Sequence, residues 1–407
     1  MKILHIYDGH EQVRPGEGSV PSTVYHLVQH TARLGHEVTV LERRWEGTKS
    51  KEIVDGIEFD RLNLKISSNV SNSEIVYEQM KKPQLFLKFF FDRLIFALKA
   101  NRYLKKTNFD VIHVHLPFSA NIIVHLSPHL KGKFFYTAHI GEEKKRLNPD
   151  RTSPFLLRAF SPDWHLIKRI SKTIILNQPL KETLVNKGIP SDKLEVIPLG
   201  IDVDEYTADL AAIQKIREKF ELHGMVVLFS GTITPRKGVE YLLQAAEYLK
   251  KEDILFIIVG NLNLDKEYAQ LMITIAKEKN LKVKFVGYIP YDDLKALFLS
   301  CDLFVLPSVE EGDPVSLKEA LACGKPLIGS DVGGITMQII DSWNGFLVKP
   351  RDAETIAKRI RFLFNQPEER KRMGFNSKLY ANEKFNWESI VKKYIKLYMD
   401  SIHEISV

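Results

Sequence analysis

Two carboxylates, Glu311 and Glu319, stand in the run Pro307-Ser308-Val309-Glu310-Glu311-Gly312-Asp313-Pro314-Val315-Ser316-Leu317-Lys318-Glu319-Ala320. A buried apolar run ends at Leu306, and helical spacing resumes near Val315. Glu311 then lies at the carboxyl end of a strand, and Glu319 about one turn into a helix. Amides near Val315 and Ser316 are first-turn donors, which with the helix dipole favour an anion. Carboxylates on either side of that anion suit the hydroxyls of a sugar and of a ribose. The plainer alternative makes Glu310 and Glu311 loop charges and Glu319 part of a solvated helix face. A second strand-to-helix passage, Ser230-Gly231-Thr232-Ile233-Thr234-Pro235-Arg236-Lys237-Gly238, carries two cations. Arg236 can grip phosphate by its fork and Lys237 as a point charge, although basic helix entrances also occur as plain surface.

These residues need a scaffold that repeats strand, loop and helix. The first half supplies it with apolar runs at Ile3–Tyr7, Val38–Leu41, Val111–Val114, Lys133–Tyr136, Thr173–Leu176 and Leu194–Ile197. Between the first two, Val24, Leu27, Val28, Thr31 and Leu34 recur at helical spacing before Gly35. Strands separated by helices predict a parallel sheet covered on both faces. The pattern restarts with Val226–Ser230, Leu255–Val259, Val283–Val286, Leu303–Leu306 and Pro326–Gly329. Punctuation at Ile197-Pro198-Leu199-Gly200-Ile201-Asp202 marks the division. The expected organisation is therefore an α/β domain over 1–200, a second over 201–385, and a C-terminal helix over 386–407. That helix lies beyond the second sheet's pattern and is available to pack back on the first domain. Two doubly wound sheets facing each other would set their carboxyl ends along one cleft, where open α/β sheets bind ligands.

Composition bounds the function. The 407 residues are 44% hydrophobic and 27% charged, which excludes disordered and collagen-like chains. No apolar run is long enough to span a bilayer, and the opening residues reach Asp8 too early for a signal peptide. Only Cys301 and Cys323 occur, so a disulfide framework or cysteine-based zinc site is not expected, and the chain reads as cytosolic. Residues 1–200 carry 30 Lys+Arg against 21 Asp+Glu, whereas residues 201–407 carry 28 against 30. The basic first half suggests an anionic partner. Nucleic acid is not expected, since no nucleic-acid motif accompanies the charge. The first loop reads Gly16-Glu17-Gly18-Ser19-Val20-Pro21, not G-x-G-x-x-G, which argues against a nicotinamide dehydrogenase.

Taken in order, the motifs resemble the GT-B-fold retaining glycosyltransferases of family four, with two Rossmann-like domains and an EX7E signature. Further landmarks are Asp110-Val111-Ile112-His113-Val114-His115, Pro235-Arg236-Lys237-Gly238-Val239, Ala320-Leu321-Ala322-Cys323-Gly324-Lys325-Pro326, Val332-Gly333-Gly334 and Asn344-Gly345-Phe346-Leu347-Val348. The resemblance implies that Glu311 faces the donor sugar, that Glu319 faces the nucleotide ribose, and that Lys237 meets the donor diphosphate. It places His139 near the reacting anomeric carbon, and Gly18, with the Ser19 amide, against the diphosphate. It further implies a nucleotide-diphosphate sugar as co-substrate, no cofactor or metal, and retained anomeric configuration. The leaving phosphate would accept the incoming hydroxyl's proton.

Three stretches depart from the family pattern, one of them Thr336-Met337 in place of the usual Pro-Glu after Gly333-Gly334. Thr232 stands where an arginine is usual, and Asp313-Pro314 replace Phe-Gly, removing one amide donor at Pro314. These departures keep two other readings open: a GT-B-type sugar-nucleotide epimerase, and a non-catalytic nucleotide-sugar-binding scaffold.

Residues 81–106 carry Lys81, Lys82, Lys88, Arg93, Lys99, Arg102, Lys105 and Lys106 against the single acid Asp92, interleaved with phenylalanines and leucines. Such a helix can lie on an anionic membrane surface, while part of it must also cover the first sheet. Lys144-Lys145-Arg146 add charge after His139. The expected acceptor is therefore a glycan or lipid-linked acceptor at the cytoplasmic membrane face.

Overall fold

The computed structural model describes residues 1–17, 19–64, 83–139, 162–207 and 209–406. The chain divides into one unit of residues 1–200 with 387–407, and another of residues 201–386.

The first unit is built on an eight-stranded sheet: β1 (Lys2–Ile6), β2 (Glu37–Arg43), β3 (Lys51–Val54), β4 (Ile57–Leu62), β5 (Val111–Val114), β6 (Phe134–Ala138), β7 (Lys172–Ile175) and β8 (Leu194–Val196). Its order is β3-β4-β2-β1-β5-β6-β7-β8. Every pairing is parallel except β3 with β4. The central strands are apolar on both faces because helices cover both. Register sets His5 of β1 opposite His113 of β5. The β3–β4 hairpin has no counterpart in the expected strands. It turns at Asp55 (φ 52°) and Gly56 (φ 78°), the two left-handed residues a tight hairpin requires.

The helix Trp387–Ser406 completes this unit. Its Trp387, Ile390, Val391, Tyr394 and Tyr398 join Ile3, Val111, Phe135, Ile174 and Ile197 in one buried cluster. Trp387 lies so close to Gly200 that a Cβ there would fall 2.3 Å from the indole.

The helix Pro83–Leu104 lies along the same unit. Phe96, Ala97, Ala100 and Leu104 are in the core, whereas Leu87, Phe90, Phe91 and Leu98 are exposed. Arg93 and Asp92, counted in the sequence with the surface charges, are buried instead. Arg93 Nη1 donates to the Asp8 carbonyl, and Arg43 Nη2 lies 2.7 Å from Asp92 Oδ2. Removing those charges from water requires such pairing. Lys81, Lys82, Lys144, Lys145 and Arg146 lie outside the described residues.

The second unit carries a parallel sheet of six strands: β9 (Met225–Ser230), β10 (Ile254–Val259), β11 (Val283–Gly287), β12 (Leu303–Leu306), β13 (Leu327–Ser330) and β14 (Gly345–Val348), ordered β11-β10-β9-β12-β13-β14. Phe229, Phe256, Phe298 and Phe304 fill its core. Among the described residues, no helix is long and apolar enough to cross a membrane.

Candidate functional site

In the second unit, β9 and β12 are neighbours, so the loops leaving their carboxyl ends meet. The β9 loop reaches a short turn, Pro235–Lys237, ended by Gly238 at φ 67°. A Cβ at Gly238 would lie 2.0 Å from the Pro307 carbonyl, so only glycine lets the two loops touch. The contact is pinned by Val309 N donating to the Arg236 carbonyl (2.8 Å) and Arg236 Nη1 donating to the Glu310 carbonyl (2.9 Å).

Three side chains converge on the buried Glu311. Lys237 Nζ donates to Oε1 at 2.5 Å, Ser308 Oγ donates to the same oxygen at 2.7 Å, and Arg236 Nη1 stands 3.6 Å from Oε2. Burial pulls the Lys237 ammonium below the usual lysine range; Arg236 adds to that shift, and Glu311 opposes it. The far side of the loop rests on Gly333 and Gly334, whose Cβ atoms would fall 1.8 Å from the Glu311 carbonyl and 2.1 Å from that of Gly312.

Asp313 in this loop is held by Lys318 and Gln338. Lys318 Nζ lies 2.5 Å from Oδ2, and Gln338 Nε2 donates to Oδ1 at 2.6 Å. Lys318, fully buried, also sits 5.3 Å from the centroid of the Phe385 ring. The helix Val315–Ala322 follows, with Pro314 at its cap and no side-chain cap bond. Its first amides, at Val315 and Ser316, have no partner within the helix. Four residues on, the buried Glu319 accepts from Tyr206 Oη at 3.1 Å, and Tyr206 Oη lies 2.7 Å from Tyr291 Oη. Burial raises the Glu319 carboxyl to about 7 against the lowering effect of the Tyr206 bond.

In the first unit, His139 follows β6 and is half-buried. Its Nε2 lies 3.3 Å from His115 Nδ1, and His115 Nε2 lies 3.0 Å from His5 Nδ1. His113 packs its ring 4.3 Å from that of His115 and bonds Tyr398 Oη (2.6 Å) and Thr137 Oγ1 (2.8 Å). Ser19 is exposed and opens the helix Ser19–Arg33, and Gly18 lies outside the described residues.

The family model for glycosyltransferase family 4 matches residues 20–205, and that for glycosyl transferases group 1 matches residues 212–380. The chain belongs to the glycosyltransferases that these two models describe. It is 24% identical to the O-antigen chain mannosyltransferase C of Escherichia coli, over 98% of each chain. It is 30% identical to an uncharacterised glycosyltransferase of Methanocaldococcus jannaschii over 233 residues, 56% of this chain and 59% of that protein. In structure it resembles Anabaena HepE, solved in complex with UDP-glucose, with a TM-score of 0.73, 18% identity, and coverage of 98% of this chain and 100% of that one. The two-domain parallel α/β architecture is the GT-B fold.

The glycosyltransferase thus gathers Arg236, Lys237 and Glu311 into one charged cluster and sets the buried Glu319 against Tyr206 farther along the same loop–helix passage. His139 belongs to the other unit. Among the described residues, one group of three offers metal-ligand atoms within mutual reach: His5, His113 and His115, all within 4.8 Å. Both nitrogens of His113 are already hydrogen-bonded and His5 bonds His115, so an ion there would displace existing bonds. Ser308, Tyr206, Tyr291, Lys318 and His115 were not singled out from the sequence as site residues. Ser308 and Lys318 lie inside the Pro307–Ala320 run and His115 inside the Asp110–His115 landmark, whereas Tyr206 and Tyr291 carry no local signal.

Proposed function

We propose that this glycosyltransferase moves a sugar, with retention of anomeric configuration and without a metal, from a nucleoside-diphosphate sugar to a glycan or lipid-linked acceptor at the cytoplasmic face of a membrane. The observation that carries the reading is the Lys237–Glu311–Arg236 cluster beside the uncapped helix start at Val315. Breaking a glycosyl–phosphate bond develops negative charge on the leaving oxygen and positive charge on the sugar ring. Lys237, Arg236 and the amides of Val315 and Ser316 suit the first, and Glu311 suits a hydroxyl-bearing, electron-poor ring. Glu319, paired with Tyr206, suits the ribose hydroxyls. In this reading His139 stands beside the reacting sugar, and Gly18 and the Ser19 amide approach the diphosphate.

The relatives support the substrate classes. The E. coli relative is an O-antigen mannosyltransferase, and the Anabaena neighbour was solved with UDP-glucose. The membrane site is supported by the exposed Leu87, Phe90, Phe91 and Leu98, spaced along one face of the helix Pro83–Leu104, with Arg102, Lys105 and Lys106 exposed near its end.

The test begins with a thermal-shift screen of uridine-, guanosine- and adenosine-diphosphate sugars, because a ligand selective for the folded state raises its melting temperature. The selected donor is then incubated with lipid-linked acceptors in EDTA, and the new anomeric proton is read by NMR. Transfer with the donor's configuration is expected; inversion, dependence on a divalent ion, or donor binding without transfer to any acceptor overturns the reading.

A further inference from the structure

The first unit holds three imidazoles in series across the centre of its sheet. His5 on β1 and His115 just past β5 are buried, and His139 just past β6 is half-buried. The links run from His5 Nδ1 to His115 Nε2 (3.0 Å) and from His115 Nδ1 to His139 Nε2 (3.3 Å). A neutral imidazole carries one N–H and one lone pair, so the chain has only two self-consistent polarities.

In one polarity, His139 donates from Nε2 to His115, which donates from Nε2 to His5. That order puts the remaining proton of His5 on its own Nε2. This nitrogen is buried and has no hydrogen-bond partner among the described residues. In the other polarity, His5 donates from Nδ1, His115 donates from Nδ1, and His5 Nε2 is left as a lone pair. Both orders make two bonds, but a buried orphan N–H is the rarer and costlier defect. The second order is therefore favoured.

We propose that His5 and His115 are positioning residues that hold His139 as its Nδ1–H tautomer, with Nε2 occupied as the acceptor of the chain. Resting on the reading that His139 lies beside the reacting sugar, this makes His139 a neutral hydrogen-bond donor and not a proton acceptor. Protonating Nε2 would set two N–H groups face to face with His115. The proton of the incoming hydroxyl then has to leave by another route, and the departing phosphate oxygen is the base that the proposed reaction itself supplies. Burial agrees with an uncharged chain: it pushes His5 down to about 3, and pushes His115 well below the ordinary histidine range with help from its imidazole neighbours.

The experiment is nitrogen–proton correlation NMR on the full chain with labelled histidine, recorded without substrate. The wild type is expected to show His139 protonated on Nδ1. His5→Phe removes the first donor, and the ratio of Nδ1–H to Nε2–H at His139 is expected to fall at least about tenfold, a change of about 1.4 kcal/mol. His5→Asn, whose amide can donate from the same position, is expected to keep the wild-type ratio. The resonances of His113, bonded to Tyr398 and Thr137, report whether the variants keep their fold. An Nε2–H tautomer in the wild type overturns the proposal, as does an unchanged His139 ratio in folded His5→Phe. Stoichiometric zinc in the purified chain, with shifts in these nitrogens on its removal, overturns it as well. The wild-type spectrum decides even where His5→Phe does not fold. Full transfer activity in His139→Ala would sink the reading of His139 beside the sugar while leaving the tautomer result standing, so the two failures are separable.

Discussion

Lys237 and Glu311 neutralise each other at 2.5 Å, so in the proposed reaction a diphosphate reaching the cluster has to draw the ammonium away from the carboxylate. Lys237→Ala removes the cation that the proposed reaction sets against the leaving group and leaves Glu311 buried without its closest charge. Lys237→Ala and Glu311→Ala are each expected to lower sugar transfer at least about tenfold, measured as initial rates at saturating donor. Wild-type turnover in either variant would reject the assignment. Glu319 gives a pH signature with two opposite signs. Its carboxyl sits at about 7 in the folded chain against an ordinary value of 4.5. The folded state therefore binds more protons between those values, and this group's contribution to stability falls as pH rises from 4.5 to 7. Glu319→Gln is expected to melt higher than wild type above pH 7, by on the order of a few degrees, and to lose that advantage near pH 4.5. Nucleotide binding should run the other way in the wild type, tightening from pH 6 to 8 as the carboxylate forms to accept ribose hydroxyls. Glu319→Gln should bind with little pH dependence over that range, which a calorimetric titration at both pH values would check.

The helix Pro83–Leu104 divides its labour between two faces. Phe96, Ala97 and Ala100 are fully buried on the sheet side, whereas Leu87, Phe90 and Phe91 remain exposed. Replacing those three with serine is expected to reduce co-sedimentation with anionic vesicles while leaving the melting temperature within about a degree, since exposed side chains contribute little to the core. Unchanged sedimentation would remove this helix from the membrane role. The same helix shows how far a sequence carries. Its apolar density was legible, but the burial of Arg93 was not, because the partners that permit it, Asp8 and Asp92, depend on where β1 ends against the helix. Alternating strands and helices were readable because buried parallel strands are short continuous apolar runs. The β3–β4 hairpin was passed over although Asp55-Gly56 is a strong turn signal, since its strands are partly exposed and mixed in character. The Glu311–Glu319 passage was legible because its residues are close in sequence. The histidine chain was not: His5 and His115 are brought together by the long-range pairing of β1 with β5.

The first unit is discontinuous in sequence, closed by the helix Trp387–Ser406 on the surface that Ile3, Val111 and Ile174 would otherwise leave uncovered. Gly200→Ala would place a methyl group against the Trp387 indole, where a Cβ falls 2.3 Å away. That variant is expected to lower the melting temperature and to lose amide protection in β5 and β6 before β9 and β12, as hydrogen exchange would show. Loss of protection in the second unit first would refute this placement of the helix. The discontinuity also bears on how the molecule is made. A ribosome delivers residues 201–386 complete while the first 200 still lack their closing helix, so the middle of the polypeptide can mature before its beginning does. The opening segment therefore waits for nearly the whole of translation with the patch around Ile3, Val111 and Ile174 uncovered, a long window in which that patch is open to its neighbours.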